Sequence, residues 1–407
     1  MSFAMGPFNA AYEARIDFAA LRAARVARAR AEMKAAGLDA LLLFKDENVR
    51  YLTDLRAQQI AGKSSFLNGV LLAGDREPIL LCSGGEVDRV RRTMPWIPDV
   101  RMIPILEEPS LIRAVVRHLL VPALSDLGLN RARVGIDAAP MALTMALQAE
   151  LPGLGVEDGD GVMLRARMIK LPGELQALEE ATAIADAVIA AAVAAVAEGT
   201  RECEVAGEAM RALFRLGGEY AHVMTPFVAS GERMSPPNRF ATDKVIRYGD
   251  VVFIDIGACW NGYYADVGRT VICGRPNARQ KQIFRAVYEA LQAGIEAMRP
   301  GRTNTEVAAA IRAVARRHGL EDRLLTLFIG HGIGMGANEP PYIGEPFPGA
   351  PEVELQPGMV FALEPLIWVE GVRGGGGVRL EEMIAITGEG PRVLSRAPFD
   401  ERLLDGG

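Results

Sequence analysis

Residues 17–36, DFAALRAARVARARAEMKAA, set apolar positions at helical spacing among arginines and stop at Gly37, which predicts an amphipathic helix. LDALLLF after it reads as a buried strand, followed by a turn and NVRYLTDL. GVLLAG and ILLCSG, separated by DREP, read as two strands joined by a polar turn. Helix and strand signals go on alternating to about residue 160, the pattern of an α/β domain with a mixed sheet. Pro172 and Gly173 then break the chain, and an alanine-rich helix is expected from about Glu174 to Gly199. Further helices are expected near 202–216, 279–298 and 304–318, and a polar loop over 230–249. The remainder is strand-like, notably MVFALEPLIWV and VRLEEMIAIT, so this half reads as α+β. The expected division is an N-terminal α/β domain over 15–165 and an α+β catalytic domain over 168–400.

The 407 residues are enough for two or three domains, and half are hydrophobic, as in a globular protein. A net charge of −6 without a long basic run excludes a nucleic-acid or anionic-membrane surface as the main partner. The longest apolar run, Ala187 to Ala197, has eleven residues, and a bilayer span needs about 20. The N-terminal stretch lacks a basic segment followed by an apolar core, and the four cysteines (Cys82, Cys203, Cys259, Cys273) form no CxxC. Reduced thiols in a cytoplasmic protein are therefore expected.

Chemistry concentrates in DVVFIDIGACWNGYYADVGRTVI. Asn261-Gly262 is the pair favoured in a two-residue type I′ hairpin. With Trp260 facing Tyr263, the register sets Asp255 opposite Gly268, and Asp266 falls on the face of Asp255 as its diagonal neighbour. Such neighbours lie roughly 7–8 Å apart at the backbone. Like charges on an otherwise apolar face call for something positive between them. Either aspartate could instead face solvent at a strand end, although the setting of Asp255 in VVFIDIG makes that awkward. Glu364 in PGMVFALEPLI and Glu381 in GVRLEEMIAIT occupy similar apolar settings; Glu381 and Glu382 alternate in facing, so one of them is expected to look inward. His331 lies in the glycine-rich GHGIGMG. Four carboxylates with one imidazole suit two hard or borderline divalent ions. Ions roughly 3.5–4 Å apart can share a hydroxide that attacks at neutral pH.

On these residues the chain resembles the pita-bread metallohydrolases: aminopeptidase P, prolidase, methionine aminopeptidase and creatinase. The spacing Asp255…Asp266…His331…Glu364…Glu381 is similar to that family's five ligands, and GDVVFIDIG, YYADVGRT, GHGIG, PGMVFALEP and VRLEE resemble its blocks. NVRYLTDL and MIKLPGELQALEEA are similar to the N-terminal domain and domain junction of the creatinase and aminopeptidase P branch. The resemblance runs from about residue 15 over nearly the whole chain. It implies a creatinase-like α/β domain followed by a pita-bread catalytic domain, and two divalent ions (Mn, Co, Fe or Zn). Asp255 would chelate one ion and His331 the other, Asp266 and Glu381 would bridge them, and Glu364 would complete the second site and assist proton transfer. Thr270 would support the bridging aspartate. Arg379, on the strand face of Glu381, would stand near the substrate. A homodimer is implied as well.

The resemblance also exposes departures. The peptidase branch carries a histidine seven residues after the ligand histidine, where this chain has Asn338, and another before the first aspartate strand, where alignment of FATDKVI places Asn238. Asparagine donates and accepts hydrogen bonds but carries no useful proton, and loss of general acid–base help typically costs about 10²–10⁴-fold. The candidate catalytic residues are Glu364, His331 and Asn338; the candidate substrate contacts are Asn338, Asn238, Arg379 and Tyr263. His222 reads as a packed histidine that could still lend a proton, His118 and His318 as surface residues. Trp260, Tyr263 and Trp368 could line a pocket, and Gly374–Gly377 reads as a mobile turn or flap.

The expected function is hydrolysis of a C–N bond, Xaa-Pro peptidase-like, on a short peptide or small molecule. The alternatives are a small-molecule amidohydrolase similar to creatinase or ectoine hydrolase, a lyase similar to those acting on dimethylsulfoniopropionate, and, ranked last, a non-enzymatic binding protein.

Overall fold

A computed structural model of the chain describes residues 15–56, 67–219, 226–238 and 240–404, and His222 lies outside them. The chain forms two compact units, Met1–Arg167 and Met168–Gly407.

In the first unit, β1 (Ala40–Leu43), β2 (Gly69–Ala73), β3 (Ile79–Cys82), β4 (Asp99–Met102), β5 (Arg133–Ile136) and β6 (Gly155–Asp158) form one sheet ordered β4-β3-β2-β1-β5-β6. β1 pairs antiparallel with β2 and parallel with β5, so the sheet is mixed, as the alternation of elements predicted. The amphipathic helix spans Phe18–Ala35, and Asp17 caps it by accepting from Ala20 N at 2.9 Å. NVRYLTDL contributes a further helix, Asp46–Thr53. The core is aliphatic: Leu42, Leu71, Leu81, Val134 and Leu147 pack together with Phe44.

In the second unit the long helix runs Pro172–Ala194, with proline in its first turn, and a second helix covers Glu202–Arg215. A three-stranded sheet orders β11-β8-β7, from β7 (Phe227–Ser230), β8 (Val251–Asp255) and β11 (Gly268–Ile272). Between β8 and β11 lies the ribbon of β9 (Ala258–Trp260) and β10 (Tyr263–Ala265). A five-stranded sheet orders β13-β12-β14-β17-β18, from β12 (Gly330–Gly332), β13 (Glu339–Ile343), β14 (Val360–Leu363), β17 (Glu382–Thr387) and β18 (Gly390–Val393). β15 (Leu366–Trp368) and β16 (Gly377–Arg379) make a separate pair.

Two helices, Ala278–Ala297 and Asn304–Arg317, back this half. Phe284, Val287 and Leu291 of the first and Val307 and Ile311 of the second are buried with Phe361, Leu363 and Ile384 of the sheet. Fully burying such a side chain is worth about 1.5–3 kcal/mol, so this cluster contributes strongly to holding the helices against the strands. Each helix starts with a capping box, Asn277 with Gln280 and Thr303 with Glu306. Gln280 also donates through Nε2 to the carbonyls of Gly249 and Gly374, at 3.0 and 3.1 Å.

That clamp corrects the expectation of a flap at Gly374–Gly377. The run threads against backbone: a Cβ on Gly374 would stand 1.9 Å from the Gly249 oxygen, and one on Gly377 would stand 1.9 Å from the Met234 oxygen. Glycine is needed there because nothing larger fits, and the segment delivers Arg379 in a defined position.

Candidate metal centre

The type I′ turn forms as predicted, with φ of +49° at Asn261 and +82° at Gly262. Trp260 faces Tyr263, and the same register sets Gly268 opposite Asp255. Asp266, two residues before Gly268, therefore shares the face of Asp255. On the five-stranded sheet His331 lies opposite Ala362, and Ala362 opposite Met383. Glu364 is two residues after Ala362 and Glu381 two before Met383, so period two places both on the face of His331. Glu364 N donates to Ile329 O at 2.7 Å and prolongs the ladder to that position.

The two faces converge. Donor atoms of Asp266, His331 and Glu381 lie within 4.8 Å of one another, as do those of Asp255, Glu364 and Glu381. His331 Nε2 is 3.5 Å from Glu364 Oε1 and 3.9 Å from Asp266 Oδ2. Asp255, His331, Glu364 and Glu381 are buried and Asp266 is half-buried. The structure thus brings together all five residues that the sequence singled out.

Burial and neighbouring carboxylates hold Asp266 and Glu381 well above the usual carboxyl range. Burial pushes His331 down and keeps the imidazole neutral. Its Nδ1 lies 2.9 Å from the Gly332 carbonyl, the partner of an N–H at that nitrogen, which leaves the Nε2 lone pair facing the carboxylates.

The positive charge expected between the aspartates is supplied in part by Arg379. Its Nη1 donates to Asp255 Oδ2 and Glu364 Oε2, both at 2.9 Å. Burial alone would lower this guanidinium, but the charges of Glu364, Asp255 and Glu381 outweigh it and raise it. The sequence reading makes Arg379 a substrate contact; the structure places it among the clustered carboxylates, paired with Asp255 and Glu364. One guanidinium does not balance four carboxylates, and both oxygens of Glu381 are buried without a hydrogen-bond partner. An oxygen-rich donor set with one imidazole and an unpaired buried carboxylate fits divalent cations.

Other expectations are corrected. Thr270 does not hold Asp266: its hydroxyl donates to Arg379 O (2.8 Å) and accepts from Arg379 N (3.1 Å), pinning β16 to β11. Tyr263 is fully buried and its hydroxyl lies 3.1 Å from Glu174 Oε1, so it packs the long helix instead of meeting substrate. Glu382 is buried as well as Glu381, on the opposite face, because Arg269 (2.9 Å) and Ser395 receive it there. Asn338 and Asn238 both lie exposed on loops.

Three residues escaped sequence reasoning. Phe328 stacks on His331 with ring centroids 5.4 Å apart; its place three residues ahead of the histidine was a faint signal. Glu339 and Lys170 form a buried ion pair at 3.6 Å, and Glu339 accepts from Gly336 N at 2.8 Å. Together they fasten the glycine-rich loop that follows His331.

Residues 25–169 match the creatinase/prolidase N-terminal domain, and residues 176–388 match metallopeptidase family M24. A Xaa-Pro dipeptidase of Pyrococcus horikoshii is 34% identical over 364 residues, 88% of this chain and 93% of that one. One from Pyrococcus furiosus is 35% identical over 237 residues, 58% of this chain and 66% of that one. The solved structure of a Xaa-Pro dipeptidase from Bacillus anthracis superposes with a TM-score of 0.78 at 26% identity, covering 93% of this chain and 99% of the other.

Proposed function

The chain belongs to metallopeptidase family M24, in its creatinase and prolidase branch with the pita-bread fold, and is a metal-dependent hydrolase; on that premise we propose that it cleaves the C–N bond of a short peptide or small amide. The observation that carries this reading is the convergence of Asp255, Asp266, His331, Glu364 and Glu381, with both Glu381 oxygens unpaired.

In this reading Asp255, Asp266, His331, Glu364 and Glu381 would together hold the divalent ions. Such ions, once bound, would supply polarisation of the substrate carbonyl and a lowered pKa of water. The protein's own groups do the rest. The Nδ1–H to Gly332 bond holds His331 in the tautomer a ligand needs. Arg379 fixes the rotamers of Asp255 and Glu364 by holding one oxygen of each. Water adds its oxygen to the carbonyl carbon, the C–N bond breaks, and the amine leaves with a proton. Glu364 is the residue assigned to carry that proton, since Asn338 has none to give.

The missing imidazole favours a second reading, hydrolysis of a small non-peptide amide. The same proposal takes the protein as a homodimer, by family resemblance alone, and as cytoplasmic, which four free cysteines support. No described helix is long and apolar enough to cross a membrane.

The test is turnover of Xaa-Pro dipeptides and tripeptides by protein whose content of two metals per chain has been measured. Clear turnover supports the peptidase reading; none, with both ions present, moves the substrate to a small amide.

A further inference from the structure

Glu381 offers a carboxylate to both halves of the centre, yet it belongs to neither neighbouring strand. β16 ends at Arg379 and β17 begins at Glu382, so Glu381 stands outside the sheet ladders. Its buried main-chain groups need partners from elsewhere. Its N–H donates to Gly268 O at 3.0 Å, and its carbonyl accepts from Arg269 Nη1 at 2.6 Å. The same Nη1 donates to Gly268 O at 2.9 Å, which closes a small ring of hydrogen bonds around Glu381.

Arg269 is fully buried, and its guanidinium has five N–H donors in a fixed plane. Nη1 directs two to Gly268 O and Glu381 O. Nη2 gives one to Glu382 Oε1 at 2.9 Å and one to Ala397 O at 2.5 Å, and Nε gives the last to Ala397 O at 3.0 Å. The Phe399 ring covers the guanidinium, with its centroid 4.4 Å from Cζ. Ala397 and Phe399 lie in the irregular segment 394–400 that follows β18. That segment is anchored in turn: Asp186 of the long helix accepts from Arg396 N at 2.8 Å and Ala397 N at 2.9 Å, and Asp400 accepts from Ile272 N at 2.9 Å. Ala397 is therefore gripped by the helix at its N–H and by Arg269 at its carbonyl. Balancing the charge of Glu382 would take one donor of the five; the other four go to main-chain carbonyls, two of them beside the centre.

Resting on the metal-dependent reading, we propose that Arg269 is the positioning residue for Glu381, and that segment 394–400, anchored by Asp186, sets the affinity of the centre for divalent ions. The planar fork converts the place of Ala397 into the place of the Glu381 backbone, and so of its carboxylate. Asp186 acts at a distance, through Ala397 and the guanidinium. Groups that orient a ligand from behind are worth about 10–100-fold in metal affinity.

The test uses full-length protein stripped of metal and titrated with manganese by calorimetry, with the melting temperature of the metal-free form measured beside it. Asp186→Ala removes the anchor of segment 394–400 and is expected to weaken manganese binding about tenfold. Arg269→Lys keeps the charge beside Glu382 but not the planar fork, and is expected to weaken it about 10–100-fold. Asp186→Ala, at a half-buried position, decides the matter where Arg269→Lys does not fold. Glu179→Ala is the control: it breaks an exposed ion pair between the same helix and Arg392 of β18, and should bind manganese as the wild type does. The visible absorption of the cobalt-loaded protein, which reports ligand geometry, should shift in Asp186→Ala and stay unchanged in Glu179→Ala. Unchanged manganese affinity in Asp186→Ala, even with a lower melting temperature, overturns the inference and leaves the segment a prop for the fold. An equal loss in Glu179→Ala overturns it as well. Both results leave the metal-dependent reading standing, whereas a wild type that binds no manganese, cobalt or zinc ends that reading and this inference together.

Discussion

Gly268 stands so close to Glu381 that a Cβ added to it would lie 2.8 Å from Oε2 and 3.1 Å from the Glu381 Cβ. Glu381 N in turn donates to Gly268 O at 3.0 Å. The glycine directly opposite Asp255 is thus the gap into which the carboxylate from the other sheet fits. Gly268→Ala should push that carboxylate aside, lower metal affinity about 10–100-fold and leave the fold standing. Metal content after dialysis against limiting manganese reads this; wild-type content would refute it.

Asp266→Ala should abolish both metal retention and hydrolysis. Asp266 and Glu381 are buried or half-buried in the carboxylate cluster, and under the proposed reading removing either would take a donor from the centre. Elemental analysis after gel filtration, with activity on the same sample, checks this. Full activity would sink the two-ion assignment.

Arg379→Met should destabilise the metal-free protein by about 3 kcal/mol, because it leaves Asp255 and Glu364 buried without their shared cation. Divalent ions can take over that neutralisation, so adding manganese should raise the melting temperature more in the variant than in the wild type. Equal shifts in the two proteins would show that the guanidinium does not balance these carboxylates.

A pH effect is expected in the N-terminal unit. Burial, with Glu47 alongside, pushes the Asp46 carboxyl from its ordinary 3.8 up to about 7. The folded state then binds a proton that the unfolded state has released, so this contribution to stability is complete below about 4 and is lost as pH rises to about 7. Asp46→Asn should remove the loss and gain relative stability at pH 8, by at most about 4 kcal/mol at 1.36 kcal/mol per unit. The real figure should be smaller, because Asp46 sits at a helix N-terminus, which favours a negative charge. Melting curves of both proteins from pH 4 to 8 provide the check, and parallel curves would contradict it.

Much of the fold was legible because its signals are local. The capped amphipathic helix over Phe18–Ala35 and the pair β2 and β3 follow from spacing and turn chemistry within a few residues. The hairpin is the strongest case: Asn261-Gly262 determined a register that still holds at Gly268 and Asp255. What was illegible depended on which surfaces meet. Glu381 and Glu382 alternate in facing as any strand requires, but only packing on both sides of that strand explains why both are buried. The glycine run reads as a flap in the sequence, whereas the Gly249 and Met234 carbonyls lie directly against it in the fold.

By itself, then, the sequence determined the elements, the hairpin register and the five side chains of the centre, since each sits in a block whose pattern is written in neighbouring residues. Only the tertiary structure decided the neutralising role of Arg379, the redirection of Thr270 and Tyr263, and the ring of Phe328 over His331. Contacts between residues as far apart as Asp255 and Arg379 depend on how two sheets close on each other, and no spacing along the chain encodes that.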